Sequence, residues 1–344
     1  MEKMIYAISQ DPIYIGTGGF TIGRVDNTIV RDPVTRLPKI PGTSLSGTWR
    51  YYMALTLQTY FKNEYRNNMS ERNEKESSEL FESNAPDWAK EFNRNSSIKC
   101  AGQDEDPEND SGGHCGRCIV CNTFGYSKNN RSKRGLAYFS DLNILFFPVY
   151  TRLGTKWITS KQILNDLEPD ICKSISEPED KGEDSAFCNF ETGTSLNLGW
   201  LNFKVSKRDI NFFDKIGADD FKDNFKEVID FIKDKIVIVS DSVISQIVNS
   251  NLEVRTSVSI DPITGAAKDK ALFTSEAIPR GTVFYGNVRI QNSFEENGNI
   301  SEENIIKALE DSKKYFEVMG IGGMTTRGFG RIKLSSLTKE KRIK

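Results

Sequence analysis

Three closely spaced cysteines are the residues of this 344-residue chain with the clearest capacity for chemistry. Cys115, Cys118 and Cys121 follow the pattern C-x2-C-x2-C, Cys100 lies upstream, and His114 directly precedes the first of the three. In a reducing compartment such clustered thiols indicate a metal site rather than disulfides, and tetrahedral Zn²⁺ takes four such ligands. The sequence therefore predicts a zinc site formed by these four cysteines, with His114 as the substitute for Cys100.

Two other interpretations of the cysteines remain open. An iron–sulfur cluster also uses three cysteines at this spacing, although the fourth cysteine with its following proline is missing here. Reduced cysteines without a metal are the second alternative. We favour a structural zinc ion, because the segment 99–124 is polar and rich in glycine and has too little core to become ordered without an ion. No carboxylate near the cysteines has the pattern of a zinc-hydrolase base.

Two glycine-rich segments could let a nucleic-acid backbone approach the chain closely. Residues 16–19 (GTGG) are a weak signal by themselves, because most such stretches are turns. The segment 320–330 (GIGGMTTRGFG) is more unusual, and within it Arg327 and Phe329 supply a charge and a stacking face. This combination suits single-stranded RNA, where phosphate contacts, stacking and the 2′-OH dominate recognition.

Composition excludes several classes of protein. His114 is the only histidine, which almost excludes a histidine-dependent catalytic triad or a multi-histidine metal site. No G-x-x-x-x-G-K-[ST] segment occurs, so a P-loop NTPase is not supported. The formal net charge is −2, but residues 128–134 and 320–344 are basic whereas residues 166–191 are acidic. Charge sorted in this way would let one face of the protein bind a polyanion, but charge alone favours solvated loops.

The elements that must position these residues alternate between strands and helices. Residues 4–31 are typical of a strand, a glycine loop and a second short strand or hairpin. A loop at 38–42 then leads into a predicted helix with Thr43 or Ser44 as its N-cap. The apolar residues that recur at helical spacing in it are Leu45, Trp49, Tyr52, Met53 and Leu57.

The rest of the chain continues the mixed pattern. The predicted elements are a polar surface insertion at 62–98, a strand pair at 136–149, a loop or arm at 166–191, a strand at 194–205, helices with one strand at 209–250, two strands flanking a loop at 252–290, and a helix at 301–317. This order predicts an α+β fold of ferredoxin-like type. No apolar run approaches the ~18–20 residues of a spanning helix, and the first residues lack a secretory signal pattern, so we expect a cytoplasmic protein with no membrane partner.

Three segments resemble the RAMP proteins of CRISPR systems: DPIYIGTG (11–18), LPKIPGTSLSGTWR (37–50) and GIGGMTTRGFG (320–330). Within that superfamily the chain is most similar to the backbone subunit of type III effector complexes. Residues 136–160 and 252–286 add to the similarity, so the resemblance reaches both ends and the middle of the chain. The motifs also occur in the family's order and at suitable separations.

The resemblance implies a ferredoxin-like or RRM-like core that is interrupted by insertions. The core would comprise residues 1–61 and 136–344, with a thumb or arm at 161–205, and residues 62–135 would be an insertion that carries the zinc-binding module. Family members stack into a filament along a CRISPR RNA together with other type III effector subunits. Their thumb-like β-hairpin interrupts the duplex between guide and single-stranded target RNA at regular intervals.

The resemblance also implies which residues act. The family cuts target RNA with divalent Mg²⁺ or Mn²⁺ and an aspartate in a G-x-x-D motif, here Asp26. Glu276 matches a second acidic position, and Tyr14 stands where members often carry histidine. Ser46 stands where members often carry lysine, which leaves Arg50 as an expected phosphate contact. The implied RNA-binding residues are Gly16, Thr17, Gly18, Ser44, Ser46, Arg50, Gly322, Gly323, Arg327, Gly328 and Phe329.

We therefore predict an RNA-guided backbone subunit that also cleaves the target RNA by metal-supported attack of a 2′-OH. The main alternative is a scaffold that positions guide RNA without cleaving, while other subunits act. A stand-alone nuclease that processes CRISPR transcripts is disfavoured. Such enzymes often rely on a histidine base, and His114 belongs to the cysteine module.

Overall fold

In the computed structural model of the chain, the described residues are 2–19, 25–66, 68, 70–72, 75–90, 93–102, 113–128, 131–167, 185–208, 225–291 and 300–337. The acidic stretch at 166–191 is thus described only at its two ends, and Gly23 and Arg24 of the G-x-x-D motif lie outside the described residues. Within these ranges the chain has a mixed α/β fold built on one large sheet.

The described strands are short to medium in length. They are β1 (Glu2–Ser9), β2 (Lys39–Ile40), β3 (Gly125–Lys128), β4 (Arg131–Arg134), β5 (Ala137–Phe139), β6 (Leu142–Thr151), β7 (Gly154–Ser160), β8 (Ser185–Cys188), β9 (Ser195–Leu198), β10 (Leu201–Lys207), β11 (Ile236–Val239), β12 (Glu253–Ile260), β13 (Ala267–Ala277), β14 (Val283–Ile290) and β15 (Ile332–Leu334).

The described helices range from one turn to five. They are α1 (Gly42–Thr59), α2 (Ser77–Leu80), α3 (Asp87–Lys90), α4 (Ile119–Phe124), α5 (Lys161–Leu167), α6 (Lys226–Ile232), α7 (Asp241–Ser250), α8 (Glu302–Ser312) and α9 (Lys314–Val318). Single 3₁₀ turns lie at Asn63–Tyr65, Ser70–Arg72, Ile98–Ala101, Lys233–Lys235 and Thr325–Arg327. None of the helices in the described ranges is long and apolar enough to cross a membrane.

Eleven of the described strands form the large sheet, whose main order is β15-β1-β14-β6-β7-β11-β8-β10-β9. The strand β2 joins β6, and β5 joins β14. Two of the pairs are parallel, β7 with β11 and β8 with β10, and the others are antiparallel. The pairs β12–β13 and β3–β4 stand apart from this sheet as two-stranded hairpins.

The long helix α1 packs its apolar stripe into the core, as its sequence period predicts. All five residues of the predicted stripe are buried, which confirms the helix. Trp49 is fully buried: its ring lies 5.6 Å from that of Phe139, and its Nε1 donates to the Leu309 carbonyl (3.2 Å) and to Ser312 Oγ (3.0 Å). These bonds attach α1 to α8 and satisfy the one polar group of the buried indole.

The start of α1 differs from the prediction. The helix begins at Gly42 with Pro41 as its N-cap residue, and no side-chain cap forms at that residue. The expected caps Thr43 and Ser44 lie inside the first turn, because the Gly42 N–H finds its acceptor in the Asp141 Oδ1 atom, 2.8 Å away. A carboxylate supplied from the β5–β6 connection therefore replaces a local cap.

The hairpin β12–β13 lies within residues 252–290, for which the sequence predicts two strands flanking a loop. Glu276 lies in β13 and not in a loop, because β13 runs from Ala267 to Ala277 and pairs in register with β12 from Glu253. Large apolar side chains along this hairpin are exposed: Val254, Val258, Ile260, Ile263, Leu272 and Phe273. The described parts of 161–205, the segment predicted as a thumb or arm, form α5 and the strands β8 to β10, and these strands belong to the large sheet.

Candidate functional site

Four cysteine sulfurs converge at one point beside α4. The Sγ atoms of Cys100, Cys115, Cys118 and Cys121 all lie within 4.8 Å of one another. Zinc–sulfur bonds of ~2.3 Å in a tetrahedron place sulfurs about 3.8 Å apart, so this group fits a single Zn²⁺ ion with small adjustments. The arrangement therefore agrees with a four-cysteine metal site, in the residue set that the sequence predicted.

The local backbone explains why the sulfurs converge. Cys118 is the N-cap residue of α4, and its Sγ accepts the N–H of Cys121 at 3.5 Å. The Cys115 Sγ accepts the N–H of Cys118 at 3.3 Å. Hydrogen bonds from the other three cysteines lower the pKa of Cys100, while burial raises the pKa of Cys118. Four ionised thiols cannot stay this close without a cation between them, which a metal ion supplies.

His114 and Arg50 form a second layer around the cysteines. The buried His114 ring places Nδ1 4.0 Å from the Cys121 Sγ, and the Nη2 of Arg50 lies 3.0 Å from the same nitrogen. Arg50 also donates to the carbonyls of Cys100 (3.0 Å) and Gly125 (2.9 Å). The guanidinium expected to contact a phosphate thus has its Nε and Nη2 donors committed inside the cysteine module.

Arg72 places another positive charge near the cysteines. Its side chain is fully buried, lies 3.8 Å from the centre of the Phe61 ring, and donates to the carbonyls of Tyr65 (2.7 Å) and Ser96 (2.6 Å). Burial lowers the pKa of Arg72 to about 10, and the negative charge of Cys100 acts in the opposite direction. No carboxylate among the described residues contacts this guanidinium. Four thiolates with one Zn²⁺ carry a net charge of −2, so a zinc-loaded site would offset the positive charge of Arg72.

The two glycine-rich segments meet at Tyr14. The Gly323 N–H donates to the Tyr14 carbonyl at 2.9 Å, and a Cβ at Gly322 (φ +85°) would overlap that same carbonyl. A Cβ at Gly16 would lie 2.5 Å from the Tyr14 hydroxyl oxygen. Glycine is required at position 322 because its φ is positive and the Tyr14 carbonyl fills the space, whereas a side chain at position 16 would have to displace the Tyr14 ring. The half-buried Tyr14 thus joins the segments that the sequence assigned to RNA binding.

Phe329, near the end of the second glycine-rich segment, does not have the exposed position that a stacking role needs. Phe329 is only 4% exposed, and the guanidinium of Arg255 in β12 lies 4.6 Å from its ring centre. Arg255 also donates to the Gly328 carbonyl at 3.2 Å. The ring of Phe329 is therefore not open to stacking by a base, whereas the Arg327 side chain is exposed. No sequence pattern indicates Arg255, because its contact with Phe329 depends on the position of the hairpin.

The other expected RNA-binding residues lie in the first glycine-rich segment and at the start of α1. Thr17 and Gly18 are exposed, and the Thr17 Oγ1 lies 3.3 Å from the Thr28 Oγ1. Ser44 and Ser46 lie half-buried in the first turns of α1. Their contribution to RNA binding stays a prediction.

Asp26 lies at the base of the hairpin. Its exposed side chain accepts two hydrogen bonds from Thr274 of β13 at Oδ2, from the backbone N–H (2.7 Å) and from the hydroxyl (3.0 Å). The Thr274 backbone N–H, followed by its hydroxyl, lowers the pKa of Asp26. Among the described residues no other side chain bonds Oδ1. Asp26 therefore presents an ionised carboxylate with one open oxygen.

Glu276 is two residues from Thr274 on the same strand but is bonded differently. Its carboxylate forms an ion pair of 2.8 Å with the Nη2 of Arg31, and both side chains are largely buried. The Nε of Arg31 also donates to Asn249 Oδ1 at 2.7 Å. The structure thus places the two acidic candidates side by side, with Glu276 already paired and Asp26 available.

A separate basic surface lies around Tyr138. The guanidinium of Arg134 in β4 lies 4.7 Å from the Tyr138 ring centre, and that of Arg289 in β14 lies 5.9 Å from it. Both arginines are exposed, and in the described part of the chain neither forms an ion pair, although Glu2 stands opposite Arg289 in the strand register. Two like charges beside one ring favour an anionic partner.

The family of the chain follows from comparison with known proteins. The model of the RAMP superfamily matches residues 9–333, and the chain belongs to this superfamily. The CRISPR system Cmr endoribonuclease Cmr4 of Pyrococcus furiosus is 26% identical over 208 residues, which cover 58% of this chain and 69% of that protein. A Csm3 endoribonuclease of Enterococcus italicus is 50% identical over 44 residues, 12% of this chain and 21% of that protein.

The fold is also similar to that of a solved subunit. A chain from the cryo-EM structure of the type III-B Cmr-beta complex bound to cognate target RNA superposes with a TM-score of 0.57 and 14% identity, covering 97% of this chain and 96% of that one. At this identity the likeness concerns the fold alone.

Proposed function

We propose that this chain is a backbone subunit of a type III CRISPR effector complex in the cytoplasm, and that it cleaves target RNA with Asp26. It binds CRISPR RNA, pairs with further copies of itself and with other effector subunits, and receives single-stranded target RNA. The observation that carries this proposal is the exposed Asp26 carboxylate, held by Thr274 at the base of a hairpin that stands apart from the sheet. The similarity to an endoribonuclease, Cmr4, supports the same activity.

The ferredoxin-like core of this proposal consists of four strands and two helices. In chain order these are β1, α1, β6, β14, α8 and β15, and the strands lie in the order β15-β1-β14-β6 with antiparallel neighbours. Numbered within the core, this is 4-1-3-2, the order of the βαββαβ motif. The thumb of the subunit is the hairpin β12–β13, whose exposed apolar side chains suit a role between bases or against a neighbouring subunit.

In this proposal the RNA backbone binds near the two glycine-rich segments. Backbone groups around Gly16 and Gly322 can approach phosphates closely, and Arg327 supplies an exposed charge beside them. The surface formed by Arg134, Arg289 and Tyr138 is a second region of basic charge that RNA can contact. A chain of net charge −2 depends on such local surfaces for its affinity.

The cleavage step needs a 2′-oxygen in line with the scissile phosphate. The 2′-oxygen attacks the adjacent phosphorus, the bond to the 5′-oxygen breaks, and the 5′-oxygen takes a proton from water, so the products are a cyclic phosphate and a 5′-hydroxyl. The lowered pKa makes Asp26 a weak base, so its main task is to hold charge at Oδ1, while the 2′-OH proton passes to this oxygen or to water. When bound, Mg²⁺ or Mn²⁺ would take carboxylate and phosphate oxygens and offset the developing negative charge.

The four-cysteine site holds a structural zinc ion in this proposal. The sulfur spacing and the buried Arg72 both agree with a charged tetrathiolate centre. The ion would tie together the 3₁₀ turn at Ile98–Ala101 and the start of α4.

A scaffold without cleavage activity is the second candidate, and one observation favours it. Asp26 uses Oδ2 for Thr274 and Glu276 is paired with Arg31, so of these two candidates only Asp26 has a carboxylate without an ionic partner among the described residues. Hydrolytic centres more often combine several such groups.

The test compares Asp26→Asn with the unchanged protein in the complete effector complex with guide RNA. Asparagine keeps the shape and removes the charge, so target cleavage should be abolished while guide and target binding stay nearly intact. A target with a deoxynucleotide 5′ to the cut should also resist cleavage. Full cleavage by the Asn variant would refute the role of Asp26. Tight target binding without cleavage by the unchanged complex in Mg²⁺ or Mn²⁺ would favour the scaffold.

A further inference from the structure

The Asp26 carboxylate is held by one side chain of the hairpin. The Thr274 hydroxyl donates to Asp26 Oδ2 at 3.0 Å and accepts the Asp26 backbone N–H at 3.1 Å. Since a hydroxyl carries a single hydrogen, accepting from the amide fixes that hydrogen toward the carboxylate. The Thr274 backbone N–H adds a second bond to the same oxygen at 2.7 Å. Three bonds between two residues thus set both the position and the rotation of the carboxylate.

Backbone pairing continues this attachment along the loop. The Asn27 N–H donates to the Thr274 carbonyl and the Glu276 N–H donates to the Asn27 carbonyl, both at 3.0 Å. Asn27 and Ser275 form a parallel bridge, so the loop lies against β13 like a short third strand. These backbone bonds do not depend on the Thr274 side chain. A change at the hydroxyl should therefore alter the carboxylate while the loop stays paired.

We infer that Thr274 is the positioning residue of the cleavage site: its hydroxyl orients the Asp26 carboxylate so that Oδ1 faces the RNA, and it ties cleavage to the hairpin. The inference rests on the proposed function, in which Asp26 cleaves. It adds that Asp26 and the hairpin base form one unit. The hairpin that separates successive cleavage sites thereby also sets the direction of the carboxylate at its base.

The chain offers a matched control on the facing strand. Thr256 of β12 stands directly opposite Thr274 in the hairpin register and is exposed, and it makes no bond to Asp26. Thr→Val keeps the β-branched shape at either position and removes only the hydroxyl. Thr274→Ser keeps the hydroxyl and loses only a methyl group.

The experiment measures single-turnover cleavage and target-RNA affinity for complete complexes with these variants. Thr274→Val should lower the cleavage rate about 10- to 100-fold, since a misdirected catalytic group loses this much, and leave the Kd for target within about twofold. Thr274→Ser should restore the rate to within about threefold of the unchanged protein. Thr256→Val should cleave at the unchanged rate.

Two results would overturn the inference. One is a Thr274→Val complex that cleaves at the unchanged rate while Asp26→Asn is inactive; the proposed function would then stand and the inference would not. The other is a Thr274→Ser variant as slow as Thr274→Val, because the hydroxyl would then have no role. If Asp26→Asn itself cleaved fully, the proposed function would fail, and the inference with it. If Thr274→Val failed to fold, Thr274→Ala would replace it against the same Ser control.

Discussion

Replacement of Arg50 by alanine should destabilise the cysteine module and leave the salt dependence of RNA binding unchanged. The guanidinium donates to Cys100, His114 and Gly125, which belong to three separate parts of that module. Without it, three acceptors that are at least partly shielded from water lose a charged donor. The sequence motif instead predicts that Arg50 contacts a phosphate, so the variant decides between two physical roles.

The size of the effect follows from the number of bonds lost. A hydrogen bond to a charged group contributes about 1.5 kcal/mol at the lower end of its range, which suits a half-buried side chain. Three such bonds together contribute at most about 4.5 kcal/mol to the free energy of unfolding. Contacts that share one donor group are not additive, so we expect Arg50→Ala to lower this free energy by about 2–4 kcal/mol. At roughly 2 °C per kcal/mol for a chain of this size, the Tm should fall by about 4–8 °C.

The assay pairs Arg50→Ala with Arg327→Ala, which should behave in the opposite way. Thermal unfolding and the rate of zinc loss to a chromogenic chelator report on the module, and the slope of log Kd for RNA against log salt reports on phosphate contacts. Arg327→Ala should lower that slope by about one unit with an unchanged Tm, because its side chain is exposed. Arg50→Lys should rescue only part of the stability, since an ammonium lacks the planar fork of donors.

One combination of results would refute the structural role of Arg50. If Arg50→Ala kept the Tm and the zinc of the unchanged protein and lowered the salt slope by about one unit, Arg50 would be a phosphate contact. The contacts with Cys100 and Gly125 would then be of little energetic consequence.

Two further predictions concern metal and charge. Elemental analysis should find about one zinc per chain, and Cys118→Ser should lose the zinc and expose segment 99–124 to protease. The control Cys188→Ser, at a buried cysteine outside the cluster, should keep the zinc. Iron in place of zinc, or zinc retained by Cys118→Ser, would contradict the site. The double variant Arg134→Ala/Arg289→Ala should lower the salt slope of RNA binding by about two units if both arginines contact phosphates, and an unchanged slope would remove this surface from the RNA path.

Local patterns in the sequence were sufficient to predict features that depend on a single helix or a single short segment. The helical period from Leu45 to Leu57 predicts α1 and its buried face, because a helix stripe needs no information from the rest of the chain. The C-x2-C-x2-C spacing likewise brings three sulfurs together at the start of α4. The choice of Cys100 as the fourth member depended on counting ligands, and the sulfur cluster agrees with it.

Contacts between distant elements could not be predicted in this way. Phe329 between two glycines suggested an exposed stacking face, but the ring is buried because Arg255 folds over it from β12. Arg50 directly follows Trp49 on α1, and only the path of the insertion brings Cys100 and Gly125 to its guanidinium. Neither partner is near in sequence, so no spacing rule could have indicated these roles.

The base of the hairpin shows why the cleavage site depends on the whole fold. Asp26 and Thr274 are 248 positions apart in sequence, and the carboxylate acquires its direction only when β13 lies against the loop. On its other strand the same hairpin carries Arg255, which bonds the Gly328 carbonyl of the second glycine segment. A displacement of the hairpin would therefore move the carboxylate and the C-terminal glycine segment together. Under the proposed function, this linkage makes the cleavage geometry depend on the position of the hairpin as well as on Asp26.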